Sequence, residues 1–326
     1  MKKKTVIRLL ALLLFLVVGV VAILLIDAAT KGELGIGGSA SDEELARRTV
    51  YIDGEKYLRR ADVETFLVMG LDRFGETDED GRAQADFILL IAFDKRDGTY
   101  RLIQINRDTM TAVNRYNNNG VFVDTQVMQI ALSYAYGELE NMSSHKKCNN
   151  TATAVEELML GTGIDHYLSI TMDGMEKLID LAGGVELTVR EDLTVIDSRF
   201  VKGESVTMDG SLAMQYVRAR RGLEDPSNVA RMERQKDLMD ALIASLSSSV
   251  DDMDLISMLA EVESHTFTKC DDACVRRLQG YLSDYESLGI SALPGEAKKG
   301  DVYMEFYVDK TGLEEMIIDV FLEKAK

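Results

Sequence analysis

Apolar positions along the chain change period several times, and each change predicts a different element. The longest run, Leu9 to Ile26, is continuous over eighteen residues. As a helix it spans about 27 Å at 1.5 Å per residue, close to the thickness of a bilayer core. Lys2, Lys3, Lys4 and Arg8 precede it and Asp27 follows it. The positive-inside rule therefore predicts a cytoplasmic tail 1–8, a single transmembrane anchor 9–26 in the cell membrane, and an extracytoplasmic remainder. A cleaved signal peptide is the alternative, but its apolar region usually runs about 7–15 residues and ends at a small-x-small site. Leu25-Ile26-Asp27-Ala28-Ala29 matches such a site poorly.

Residues 27–50 read as a linker, with Gly32, Gly35, Gly37 and Gly38 followed by mixed charge from Asp42 to Arg48. Asp53-Gly54, between short apolar stretches, predicts a tight hairpin at 51–57 and the start of a folded body, 51–326. Thr65 to Leu71, Phe87 to Phe93 and Arg101 to Ile105 are apolar, β-branched runs bounded by turn signals, which predicts buried strands. Helical spacing follows over Gln126 to Tyr136, Asn150 to Leu160 and Asp173 to Leu181, the last stopping at Gly183-Gly184; a strand, Val185 to Val189, comes next. Interspersed strands and helices predict an α/β class, a sheet covered by helices. Residues 250–326 read as a helical and β part laid onto that body.

Composition narrows the chemistry. A net charge of −18 excludes a general nucleic-acid binder, because phosphate backbones need a basic partner. Cys148, Cys270 and Cys274 are too few for a disulfide scaffold, although one internal bridge is compatible with an exported domain. His145, His166 and His265 are distant in sequence and lack zinc-site spacing, so no histidine-ligated metal is expected. Neither a G-x-S-x-G elbow nor a P-loop occurs, and Gly161-Thr162-Gly163 reads as a helix stop.

Against this acidic background, five arginines and no lysine fall between 218 and 234. If Met214 to Arg218 runs extended, Arg218 and Arg220 share a face. If a helix begins near Asn228, Arg231 and Gln235 lie on one stripe with Arg234 beside it. Guanidinium forks suit phosphate oxygens; a solvated turn with ion pairs to Glu224, Asp225 and Glu233 is the plainer alternative. Asp72 follows one predicted strand and Asp86 precedes the next, so both could stand at one sheet end, either binding Mg²⁺ beside a phosphate or capping turns. Arg107-Asp108-Thr109 closes the third strand. The 16 methionines, with small residues around 126–160 and 172–184, read as core or as the lining of a slot for an acyl chain.

Seven segments, in order, resemble the motifs of the LytR-CpsA-Psr family. They are Met69-Gly70-Leu71-Asp72, Ala85-Asp86-Phe87-Ile88-Leu89-Leu90, Ile105-Asn106-Arg107-Asp108-Thr109, Gly163-Ile164-Asp165-His166-Tyr167, Asp180-Leu181-Ala182-Gly183-Gly184-Val185, Tyr216-Val217-Arg218-Ala219-Arg220 and Arg231-Met232-Glu233-Arg234-Gln235. The resemblance covers about residues 60 to 245. It implies an α/β/α sandwich with a central mixed sheet and a hydrophobic slot for a polyprenyl tail. The activity it implies is transfer of an anionic glycopolymer from a polyprenyl-pyrophosphate carrier to peptidoglycan at the membrane. Asp72 and Asp86 would hold Mg²⁺ and the pyrophosphate, while Arg107, Arg218, Arg220 and Arg231 would grip phosphate oxygens with support from Gln235. Asp108 and Arg234 would stand behind them. Gln84, Phe74, Gln129 and Asn106 occupy positions where the family usually has arginine, arginine, lysine and proline, so Arg73 and Arg82 are the nearest replacements for the missing cations. Hydrolysis of the same carrier linkage, or binding of it without turnover, are the competing readings.

Overall fold

The computed structural model describes residues 48–72, 83–117, 119–137, 144–220, 223, 225, 227–248 and 255–325. The tail, the anchor, nearly all of the linker, and Arg73, Phe74 and Arg82 lie outside them. Among the described residues no helix is long and apolar enough to cross a membrane.

Among the described residues two compact units are present: residues 48–58 with 324–325, and Arg59–Glu323. In the small unit β1 (Thr49–Ile52) and β2 (Glu55–Arg59) pair antiparallel. Asp53 and Gly54 turn between them at φ +49° and +82°, the left-handed pair of a primed hairpin turn, as the Asp-Gly dipeptide predicts. The Ala325 N–H donates to the Lys56 carbonyl at 3.1 Å.

The large unit runs β3 (Val63–Leu71), β4 (Ala85–Asp94), β5 (Thr99–Ile105), β6 (Met110–Tyr116), β7 (Phe122–Gln129), α1 (Leu132–Tyr136), α2 (Ser144–Leu158), β8 (His166–Thr171), α3 (Met172–Leu181), β9 (Val185–Thr188), β10 (Ser205–Met208), α4 (Gly210–Arg218) and α5 (Asn228–Ser248). It continues with α6 (Leu255–Glu261), β11 (Thr266–Thr268), α7 (Asp272–Asp284), β12 (Glu286–Ala292), β13 (Gly295–Lys299), β14 (Met304–Val308) and α8 (Lys310–Phe321). Its central sheet has the order β11-β8-β3-β4-β5-β12. The β3–β8 and β5–β12 pairs are parallel and the others antiparallel, so the sheet is mixed.

Continuous apolar runs make this sheet because both its faces are covered. Six successive residues of β4, Ile88 to Phe93, are buried. On one face Leu89, Ile91 and Phe93 pack with Val275 and Leu278 of α7. The alternate positions Leu67, Met69, Ile88 and Leu90 are fully buried as well. Asp165 fastens β8 beside β3, its Oδ2 accepting from the Thr65 N–H at 2.8 Å.

Three expectations are corrected. Gln126 to Gln129 is strand, not helix, because β7 finds a full cross-strand partner in β6; pairing overrides weak helical spacing. Helix begins only at Leu132. Met214 to Arg218 is helix, not strand: Asp209 caps α4 by accepting from the Leu212 N–H at 2.8 Å. Arg218 and Arg220 therefore do not share a pleated face. The C-terminal part is not laid onto a finished body but supplies both outer strands, β11 and β12. Cys270 and Cys274 form a disulfide, and Cys148 is a buried thiol.

Candidate functional site

The site begins with a break in a ladder. Gly70 pairs with Phe87 and Leu71 with Ala85, which leaves Asp86 as the extra residue of a bulge. A bulged residue is released from regular alternation and its side chain is re-aimed. Here the Asp86 carboxylate meets two guanidinium groups: Oδ1 pairs with Arg107 Nη1, and Oδ2 lies 3.3 Å from Arg231 Nη1. Arg107 comes from the turn after β5 and Arg231 from the first turn of α5. The second Arg107 fork atom, Nη2, donates to Gln84 Oε1.

Two asparagines lock those elements together. Asn106 Oδ1 accepts from the Asp108 N–H at 2.9 Å and from Asn228 Nδ2 at 2.7 Å. Asn228 Oδ1 in turn accepts from Arg231 Nη2 at 2.5 Å. The turn carrying Arg107 is thereby tied to the helix start carrying Arg231. Gln129 Nε2 donates to Asp108 Oδ1 at 3.0 Å and to the Met304 carbonyl at 2.7 Å.

Burial decides the electrostatics. Arg231 is only 7% exposed, and its desolvation pulls the guanidinium down to about 10, against the opposing field of Asp86. Burial pushes the Asp108 carboxyl up, while Arg107, Arg231 and Arg220 counter it. Arg220 acts on both groups, so its charge belongs to the same field. Arg231 Nε is buried without a hydrogen-bond partner, which leaves a donor for an anion. Inorganic pyrophosphate binding is expected to weaken as the pH rises through about 10 and Arg231 loses its proton. Titration calorimetry measures this, and undiminished binding well above that value contradicts it.

Beside the charged cluster opens a cleft of about 670 Å³, counted out to its mouth. One stripe of α5 spells its gradient: Arg231 and Gln235 are followed by Leu238, Met239 and Leu242, all lining it. Met172, Met175 and Met214 line the apolar part from α3 and α4, while Asp86 and Arg218 complete the polar part. Gln104 Nε2 steadies Gln235, donating to its Oε1 at 3.2 Å.

The fold thus unites Asp86, Arg107, Asp108 and Arg231, sets Arg218 and Gln235 on the adjoining cleft wall, and brings Arg220 into their field. Asp72 is exposed at the end of β3, where its N–H donates to the Gln84 carbonyl at 3.0 Å. It is not among the partners of Arg107 or Arg231. Arg234 is turned away from the cleft, behind the arginines that face it. It is 0% exposed, paired with Glu191, and donates from Nη2 to the Ala219 carbonyl at 2.6 Å. Three residues after Arg231, it points off the cleft stripe and buttresses the segment between Arg218 and Arg220. Sequence reasoning missed Gln104, Asn228 and Glu191, for which no local signal exists. The methionine-lined slot that the sequence offered as one reading was not placed on particular residues; Met239 continues the Arg231–Gln235 stripe, whereas Met214 comes from α4.

The family model described as the LytR_cpsA_psr family matches residues 36–319. A polyisoprenyl-teichoic acid–peptidoglycan teichoic acid transferase TagU of Bacillus mycoides (strain KBAB4) is 23% identical over 256 residues, 77% of this chain and 75% of that protein. The protein of the same description from Halalkalibacterium halodurans is 27% identical over 179 residues, 55% and 52% of the two chains. Among solved structures, the Lin1025 protein of Listeria innocua matches with a TM-score of 0.59 at 26% identity, over 80% of this chain and 97% of that one. TagT bound to LIIa-WTA matches with a TM-score of 0.60 at 20% identity, over 80% and 90%, a likeness of fold.

Proposed function

The chain belongs to the LytR_cpsA_psr family, and from that premise we propose that it transfers a glycopolymer from a polyprenyl-pyrophosphate carrier to peptidoglycan. One observation carries the reading: a single cleft is lined by Asp86, Arg218 and Arg231 on one part and by methionines and leucines on the rest, with Arg107 paired to the same Asp86. A diphosphate head on a hydrocarbon tail is the ligand class that satisfies both ends, since flexible thioethers accommodate an irregular chain. Teichoic acid transferase relatives agree with the polymer class.

In this reading Arg107, Arg218, Arg220 and Arg231 bind the pyrophosphate oxygens and orient the polymer-side phosphorus for in-line attack. A peptidoglycan hydroxyl forms the new P–O bond, and the bond from that phosphorus to the bridging oxygen breaks. Polyprenyl phosphate leaves with the bridging electrons. Asp72 or Asp86 accepts the hydroxyl proton. The cleft residues also suit Mg²⁺: each Asp86 oxygen keeps a lone pair beyond its guanidinium contact, and one or two carboxylates with phosphate oxygens form its customary shell. Asp86 and Asp72 would hold the ion, which supplies charge neutralisation at the pyrophosphate. The anchor 9–26 would keep the site at the outer membrane–water boundary, within reach of both substrates.

A second reading, binding without turnover, is favoured by one contact. Gln84 engages Arg107 where the family usually has another arginine, so the mouth holds fewer cations. Reconstitution with labelled lipid-linked polymer and peptidoglycan separates the readings. Transfer supports ours; binding without product supports the second; free polymer released without acceptor indicates hydrolysis. Met175→Trp, which fills the apolar part of the cleft, is expected to lower kcat/KM for transfer by about 100-fold while leaving pyrophosphate binding intact. Full activity in that variant would remove the lipid slot.

A further inference from the structure

A second cluster of ligand-type side chains lies outside the cleft, at the other end of β8. A ring nitrogen of His166 and the sulfurs of Cys270 and Cys274 all lie within 4.8 Å of one another. Sequence spacing separates these residues, but β8 pairs with β11, which leads straight to Cys270. Cys270 is 7% and Cys274 4% exposed, so little water competes for the site.

We propose that reduction of the Cys270–Cys274 disulfide converts this cluster into a site for one zinc-class cation, ligated by Cys270, Cys274 and His166. An external dithiol delivers two electrons and two protons to the S–S bond, becoming a disulfide itself, and leaves two thiols. Each thiol gives up its proton as its sulfur binds the metal. Disulfide and metal are then alternative states of the same side chains.

Three features favour the metal state. Zinc bonds of about 2.3 Å to sulfur and about 2.0 Å to nitrogen place tetrahedral ligands roughly 3.5–3.8 Å apart; the His166 nitrogen is already near that range of the sulfurs, and the two sulfurs, bonded to each other in the disulfide, part to about 3.8 Å once reduced. Cys274 sits in the first turn of α7, where Asp271 Oδ1 accepts from its N–H at 2.9 Å, and the positive helix end lowers the cost of a thiolate. Glu64 completes the arrangement. Its Oε1 lies 3.0 Å from His166 Nε2, nearer than the Arg277 guanidinium; in the metal state the ring proton on Nε2 would donate to this carboxylate and leave the Nδ1 lone pair for the metal. Arg277 holds Glu64 through Nε and Nη2 at 3.1 and 2.8 Å. The Arg277 charge, 3.3 Å from His166 Nε2, is offset by Glu64, and two thiolates neutralise the dication. The bridge spans a separation of four residues, so reducing it frees little chain.

The test uses the tag-free full chain, reduced with a phosphine and titrated with Co²⁺, then Zn²⁺. Expected are one equivalent of Co²⁺ bound with a thiolate-to-cobalt charge-transfer band, displacement by Zn²⁺, and no band before reduction. Cys148→Ser keeps the band. His166→Ala weakens binding by about tenfold or more, and Glu64→Gln by about 10–100-fold. The proposal is overturned if the chain with three titratable thiols gives no band, if reduction alone abolishes the far-ultraviolet circular dichroism, or if the band survives His166→Ala undiminished. Should His166→Ala fail to fold, Glu64→Gln decides alone: unchanged affinity in that variant also overturns it.

Discussion

Asp86→Ala is expected to abolish glycopolymer transfer and to lower the unfolding free energy by about 3 kcal/mol. The carboxylate is the shared counter-ion of Arg107 and Arg231, and both guanidinium groups are mostly buried. Removing it leaves two like charges facing each other out of water, a larger penalty than the pair's own attraction. Asp86→Asn separates the two effects. Its amide oxygen still accepts from one arginine, so stability falls by roughly half as much, yet the carboxylate that in the proposed reaction would hold Mg²⁺ or take the hydroxyl proton is gone. Urea unfolding and the transfer assay give the two numbers. Full stability in Asp86→Ala would mean that the arginines relax into solvent, and full transfer in Asp86→Asn would remove Asp86 from the chemistry.

Gly210→Ala is the second large effect, with an expected loss of roughly 3 kcal/mol or more. A Cβ at Gly210 would stand 2.0 Å from the Glu176 carbonyl oxygen and 2.6 Å from its Cα. Backbone cannot yield as a side-chain tip does, so α3 and α4 must separate. Both helices line the cleft, through Met175 and Met214, and the Gly210 N–H also donates to Asp180 Oδ1 at 2.8 Å. Thermal unfolding should shift downward by several degrees, and pyrophosphate affinity should fall much less than lipid affinity, because the charged mouth is built mainly by β4, the β5 turn and α5. A variant as stable as the parent would show that the two helices approach less closely than described.

The strands 63–71, 85–94 and 99–105 were legible because a continuous apolar run has one economical destination, a sheet covered on both faces. The convergence of arginines was legible too, since guanidinium clustering in an acidic chain is compositional. The Asp86 bulge was not, because a register shift is a property of two strands and neither carries its trace. Tyr216-Val217 drew an extended reading, whereas Asp209 before Gly210-Ser211-Leu212 was the available helix-start signal. Residue type alone does not separate Arg234 from Arg231; the resemblance set Arg234 behind, and the helical rotation between them sends one to the cleft and the other into the interior.

The outer strands of the central sheet come from residues 266–268 and 286–292. While the chain is still emerging, β8 and β5 must wait with unpaired edges for partners roughly a hundred to nearly two hundred residues further on, the condition that slows folding and invites sticking to neighbouring chains. Loss of the last sixty residues would therefore leave the six-stranded sheet without either outer strand, even though every cleft residue had been made.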